Sequence, residues 1–463
     1  MSQPTNVSQG ANASASAATH QGTRPNRSTS LSQPVSTGQP ASTVTLAGRL
    51  DEATTLARRA MSGTPGRMRI LALLTIAVSL IFAVAAFSTF GATDDALRRG
   101  GANTTQLVRI QAIHTNLVRA DADATNAFLV GGLEPADQRV NFTTSLAQAS
   151  RLIAEAARAQ PADGPALGAL NSAVLSYASL IEQARATNRQ ALPVGAQYLR
   201  LASSGLRSDA LPILDALVRA NDARVSAEFD NATGSAPLIA FGVLALLVLI
   251  GGMVWLSLRT HRYLNAPLAA ATAAVLVTLV VGSIALAAVA SRVDQVRTGP
   301  YAATLATAKA RIAAFDAKSN ESLTLIARGS GSAFEKAWVS SSTVVTAQSA
   351  AAAQRSGDAA NMGALWAGYM RTHEQIRKAD DGGQWENAVT QAIGTGATSA
   401  NATFDAFDAR SGAALTSSSR AASDSLDAPR AWLSFAAWLG LLVGIAAAVS
   451  AWWGVSLRLE EYR

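Results

Sequence analysis

Apolar residues run without a charge from Ile70 to Phe90, and runs of the same kind return at Leu238–Leu258, Leu268–Ala290 and Trp432–Leu457. At roughly 1.5 Å rise per residue, a helix of about 20 residues crosses a hydrocarbon core of roughly 30 Å. The pattern therefore predicts four transmembrane segments, at 70–90, 237–258, 267–290 and 431–457. Two long segments separate them, 91–236 and 291–430. In the first, Ile110, Ile113, Leu117, Ala120, Ala124 and Ala127 recur at three- and four-residue spacing, giving one buried helical stripe that can continue directly from the first span. Gly131, Gly132 and Pro135 end it. Further helices are expected over about 137–160 and 166–191, then from about 196 into the second span, where Pro212 should kink the helix by removing a hydrogen bond.

The second long segment follows the same plan. Helices are predicted near 292–328, 333–355, 358–379 and 384–428, with Ala308, Ile312, Phe315, Ser319, Ser322 and Ile326 as the first stripe. Its two serines predict a looser, more polar seam. The first span and its trailing helix recur 198 residues later, so that Leu117 lies over Phe315, Asp123 over Glu321 and Gly131 over Gly329. The expected fold is an all-α membrane protein with four transmembrane helices and two extracytoplasmic four-helix bundles arranged as a tandem repeat. Rows of small residues, Gly440, Gly444 and Ala448 on the fourth span and Ala270, Ala274, Thr278 and Gly282 on the third, mark close helix packing.

The flanks read differently. Residues 1–48 are rich in Ser, Thr, Gln, Asn, Gly and Pro and read as a disordered tail. Residues 49–69 form a juxtamembrane segment, with a short helix over 50–61. The connector 259–266 is short and carries Arg259 and Arg262, which places it and both termini, including the tail 458–463, in the cytoplasm. Arg58, Arg59, Arg67, Arg69, Arg259 and Arg262 are lipid anchors or a docking site for a cytoplasmic protein.

Composition narrows the function. The chain is 49% hydrophobic and 15% charged and has no cysteine, which leaves neither a disulfide framework nor a thiolate metal site. The net charge of +7 is spread over the chain without a basic run, so nucleic acid is not an expected partner. No span contains an ionisable residue, which argues against transport. His20, His114, His261 and His373 lie too far apart for a metal spacing, and no nucleotide-binding or nucleophile motif is present. No enzyme and no cofactor is expected. Arg119, Asp123 and Asn126 share one face of the first bundle helix at i, i+4 and i+7; Asn320, Glu321 and Arg328 are their counterpart. Each set is either a structural pairing or a ligand or partner face.

Several stretches carry a resemblance. Tyr198-Leu199-Arg200, Ala202-Ser203, Leu211-Pro212, Asp316, Asn320 through Gly329, Trp385, Ala388-Val389, Asn401, Phe404 and Phe407-Asp408 resemble the GlnX-type four-span membrane proteins of high-GC bacteria. The resemblance covers most of residues 65–463 and is most specific over 316–329. It implies a relay between an extracytoplasmic glutamate- or glutamine-binding lipoprotein and a soluble cytoplasmic Ser/Thr kinase, protein kinase G, with ectodomains similar to chemoreceptor sensor bundles. A homo-oligomer is compatible with it. A structural envelope protein and a transport-associated subunit are the alternatives.

Overall fold

A computed structural model describes residues 64–130, 134–190, 192–260 and 265–460. The expected tail 1–48, the helix 50–61 with Arg58 and Arg59, the glycine pair 131–132 and Arg262 lie outside them. Thirteen α-helices are described: α1 Thr64–Leu129, α2 Ala136–Ala159, α3 Gly164–Arg189, α4 Val194–Gly205, α5 Leu211–Ala232, α6 Ala236–Thr260, α7 Ala266–Val296, α8 Ala302–Ile326, α9 Ser332–Ala353, α10 Met362–Asp381, α11 Trp385–Ile393, α12 Ala400–Asp427 and α13 Arg430–Glu460. Among the described residues there is no strand.

Four helical paths are long and apolar enough to cross a membrane. They form a ring in which the apolar part of α1 packs on α6 and α13, and α7 closes the ring between those two. The core of that ring includes Phe82, Phe90, Leu249, Val275 and Leu433. Leu73, Val84, Leu247, Ile284 and Leu442 stay exposed on its outside, as side chains facing acyl chains should. The two entering helices cross the boundary between span and bundle without a break. Thr64–Leu129 is one helix of 66 residues, and α7 continues into α8 through a single π turn at Arg297–Tyr301 that accommodates Pro300. The returning paths pause there instead, at residues 233–235 ahead of Pro237 and at Ala428–Pro429.

Several expectations need correction. The helix from about 196 does not run unbroken into the second span, because Gly234 and Pro237 interrupt it. Residues 384–428 divide into α11 and α12. Gly394 ends the first, where an added Cβ would lie 2.6 Å from the Thr390 carbonyl oxygen, and Ser399 caps the second by accepting from the Ala402 N–H at 3.3 Å. On α7 the buried stripe is Leu268, Ala271, Val275, Leu279 and Gly282, whereas Ala270 is exposed and Ala274 and Thr278 half-buried. Larger apolar side chains fill the ring interior better, so they take the inward face. Pro212 behaves as a local defect: a π turn at Leu206–Ala210 immediately precedes it, with the Leu211 N–H bonded to the Leu206 carbonyl.

The row on α13 does mark a close approach. A Cβ at Gly444 would stand 2.7 Å from the Ala83 Cα, and one at Gly440 would stand 3.0 Å from the Ala86 Cβ. Gly444→Leu forces α1 and α13 apart and should lower the melting temperature of the detergent-solubilised protein by several degrees, the usual scale of an overpacked core. Gly251→Leu, at a position with open space around it, should leave the melting temperature unchanged.

Beyond the apolar ring, the two halves of the chain share one assembly. The second half of α1 lies against α8, and each half's core takes residues from the other. Val118, Ala122 and Leu129 join the core built by α8–α12, while Leu323 joins the core built by α1–α5. The predicted stripe on α1 is buried at all six positions. Helix α8 is buried on nearly every side, including its polar residues. The serines at 319 and 322 are therefore no loose seam; both are completely buried, and Ser319 bonds across to Asp121.

Candidate functional site

A cleft of about 430 Å³ opens between the two halves, walled by α1, the first turns of α2, α8, the α11–α12 connection and α12. Arg119, Asp123 and Asn126 stand together on its α1 wall, so the structure brings the first predicted triplet to one place. It does not pair them as i, i+4 spacing suggests. The Arg119 guanidinium donates across the cleft to Asp408 Oδ2 at 2.5 Å and lies 4.7 Å from the centre of the Phe315 ring. Arg311 forms an ion pair with the other Asp408 oxygen at 2.7 Å and donates to the Asp408 backbone carbonyl at 2.7 Å.

Asp123 is left without that partner. Its Oδ2 is buried and makes no hydrogen bond. Burial pushes its pKa up to about 7; Arg119 opposes the rise, and Asp405 and Asp408 add to it. Asn126 donates to Asn401 Oδ1 at 3.2 Å, which fixes the orientation of its amide and leaves its own buried Oδ1 unpaired. Arg119 Nε and Gln138 Oε1 are likewise buried and unpaired on the cleft wall. Asp408 Oδ1, ion-paired to Arg311, also accepts no hydrogen bond. Buried polar atoms are normally satisfied, so five such atoms around one cleft mark a place that suits a ligand or ordered water.

The second predicted triplet is not assembled. Asn320 turns back to Asp316, donating to its carbonyl at 2.8 Å. Arg328 has a φ of 42°, ends α8 beside Gly329 and stacks 4.0 Å from the Trp385 ring centre. Trp385 in turn donates its indole N–H to the Leu325 carbonyl at 2.8 Å, so this corner closes a helix end. Glu321 alone enters a charged cluster, and that cluster is internal. It accepts from Lys318 Nζ at 2.9 Å and lies 2.8 Å from His373 Nδ1, while His373 Nε2 lies 3.3 Å from Glu335. The Trp338 ring stacks on the His373 imidazole at 3.6 Å. Burial works against the Glu321 charge, but Lys318 and His373 outweigh it and draw its pKa down to about 2. Burial also works against charge on His373, and its bonds to Glu321 and Glu335 outweigh that and raise its pKa.

A third cluster ties the halves together directly. Asp121 is 1% exposed. It accepts from Ser203 at 2.5 Å, from Ser319 at 2.6 Å and from the Tyr177 hydroxyl at 3.4 Å, and Arg207 Nη1 lies 3.2 Å away. Arg207 projects from the π turn ahead of Pro212 and also reaches Asp316 at 2.9 Å. Burial penalises its guanidinium, yet Asp121 and Asp316 more than offset that and hold its pKa above the usual value.

Sequence reasoning missed Asp121, Arg207, Lys318, Asp405 and Asp408. One signal was present for the first: Asp121 interrupts an apolar helix face one residue after Ala120, and the residue 198 positions on is the Ser319 that it bonds. Asp408 stands in a stretch that carries the resemblance, but its pairing with Arg119 has no local signal, because that partner lies 289 positions away in the other half of the chain. Of the predicted basic residues, Arg67, Arg69 and Arg259 are exposed at the end of the apolar ring away from the cleft.

Residues 96–230 match the model of an actinobacterial sensor domain. The match covers the bundle part of α1 through α5, including one wall of the cleft. No curated protein and no solved structure matches the chain. The helical architecture, the four apolar paths and this match together indicate a membrane protein with a sensing or signalling role.

Proposed function

We propose that the protein is a non-enzymatic transmembrane signal relay that couples an extracytoplasmic solute-binding lipoprotein, of the glutamate- or glutamine-binding type, to a cytoplasmic Ser/Thr kinase. The observation that carries this reading is the continuity of α1. A single 66-residue helix connects the basic end at Arg67 and Arg69 to the cleft residues Arg119, Asp123 and Asn126. At roughly 1.5 Å per residue the path is on the order of 90 Å. A shift or rotation imposed on the bundles therefore reaches the opposite membrane face along one rigid element, provided a partner binds two arrangements with different affinity. The sensor-domain match supports the same direction. The short basic connector supports an orientation with the bundles outside and both termini in the cytoplasm. The effector is then met by the exposed arginines at the inner end, which also contact lipid headgroups.

The test is an in-cell crosslinking pull-down of the tagged full-length protein, with and without external glutamate or aspartate. Recovery of a solute-binding lipoprotein together with a cytoplasmic kinase is the expected result. Enrichment of wall and envelope proteins alone would replace the relay with a structural envelope role.

A further inference from the structure

We propose that the cleft between the two halves binds a small organic cation through a primary ammonium group, with Asp123 and Asn126 as its principal acceptors. This deepens the sensing reading and rests on it. The argument begins with the hydrogen-bonding balance of the walls. Buried and unspent acceptors are Asp123 Oδ2, Asn126 Oδ1 and Gln138 Oε1, against one unspent donor, Arg119 Nε. An ammonium group carries three donors and no acceptor, so it matches that surplus.

Charge points the same way. The two cations on the walls already have partners, Arg119 in Asp408 at 2.5 Å, which it shares with Arg311 behind the wall, and Lys318 in Glu321 at 2.9 Å. Asp123, Asp137 and Asp405 also line the walls and pair with no cation there, so the cleft favours positive charge over a carboxylate. The Phe315 and Phe404 rings line the same space edge to face, 5.0 Å apart, and give the cleft an apolar side for the hydrocarbon part of such a ligand. A volume of about 430 Å³ admits a ligand of a few to about a dozen heavy atoms in place of ordered water. Because α1 and α12 form opposing walls, such a ligand bridges the two halves at the level where the continuous helix begins its path to the membrane.

The experiment is calorimetric titration of the full-length protein in nanodiscs with n-butylammonium, and with butyrate as the probe of opposite charge. Saturable binding of n-butylammonium is expected, with no saturable heat from butyrate. Asp123→Asn, which keeps the side-chain shape, should weaken the binding at least tenfold, and Asp405→Asn on the opposite wall should weaken it severalfold. The melting temperature of each variant establishes that it is folded; Asp405→Asn, at an exposed position, decides the matter if Asp123→Asn is not. Absence of saturable n-butylammonium binding, equal binding of butyrate, or wild-type binding in the folded variants overturns the proposal. The titration needs no partner protein, so an empty pull-down with intact ammonium binding would remove the relay and keep the cleft site. The reverse outcome would do the opposite.

Discussion

Asp121→Ala should lower the melting temperature of the purified protein by roughly 10 °C. Removing one partner from a buried ion pair costs about 3–5 kcal/mol, and each kcal/mol moves the melting temperature of a domain of this size by about 2–4 °C. At this position the loss is compounded. The Ser203, Ser319 and Tyr177 hydroxyls lose their acceptor together, and Arg207 is left with one carboxylate, Asp316, beside the Ser203 carbonyl and the Ser319 hydroxyl. Since Ser319 and Asp316 belong to the second half of the chain, the damage falls on the joint between halves. Hydrogen exchange should therefore rise in the α1–α8 contact rather than in the outlying helices. An exposed pair gives the contrast: Asp95→Ala removes the Arg98 bridge, whose two side chains are 60% and 52% exposed, and should change stability by less than about 0.5 kcal/mol. Equal effects of the two substitutions would show that Asp121 is not a structural centre.

Glu321→Gln should cost a comparable amount, about 3–5 kcal/mol, because it strands a buried ammonium. Without the carboxylate, Lys318 keeps only the Ala392 carbonyl at 3.4 Å and the Tyr369 ring centre at 5.6 Å. Adding Lys318→Met should recover much of the loss, since the pair is then replaced by neutral groups of similar size. The pH dependence carries a sign. The folded pKa of Glu321 is depressed to about 2, so its contribution is complete above the ordinary carboxylate value of 4.5 and is lost as pH falls from there through 2. That difference corresponds to about 3 kcal/mol. His373 runs the other way: its folded pKa is raised, so its contribution is complete below the ordinary value of 6.5 and is lost as pH rises through the folded value. The cluster as a whole is thus strongest between mildly acidic and neutral pH. Thermal unfolding of wild type and Glu321→Gln between pH 2 and pH 7 checks this: the stability gap should narrow toward pH 2, and a gap independent of pH would sink the assignment.

Much of this protein is written in short-range pattern. Four uncharged runs long enough to span a bilayer declare the membrane segments, and each lies within a few residues of its helix in the structure. Glycine and proline mark the ends of the bundle helices at Pro135, Pro161, Pro193 and Gly357, because those residues act on the backbone locally. The stripe from Ile110 to Ala127 is legible for the same reason: its period belongs to one helix. The triplet Arg119, Asp123 and Asn126 is legible as a face, since spacing alone puts three polar side chains on one side of α1.

What those side chains do is decided elsewhere. Arg119 has an acidic neighbour four residues away on its own helix and pairs instead with Asp408, 289 positions along the chain. That choice leaves Asp123 unpaired and creates the cleft's surplus of acceptors. The polar residues of α8 look like a solvated or loose face from their spacing, yet they are buried because α1, α9 and α12 supply their partners. Periodicity describes which residues share a side of one helix. It carries no information about which helix comes to lie against that side, and a buried charge is tolerable only once that neighbour is known. The spans, the bundle helices and their order follow from local pattern, whereas the joining of the two halves, and with it the site, exists only in the tertiary structure.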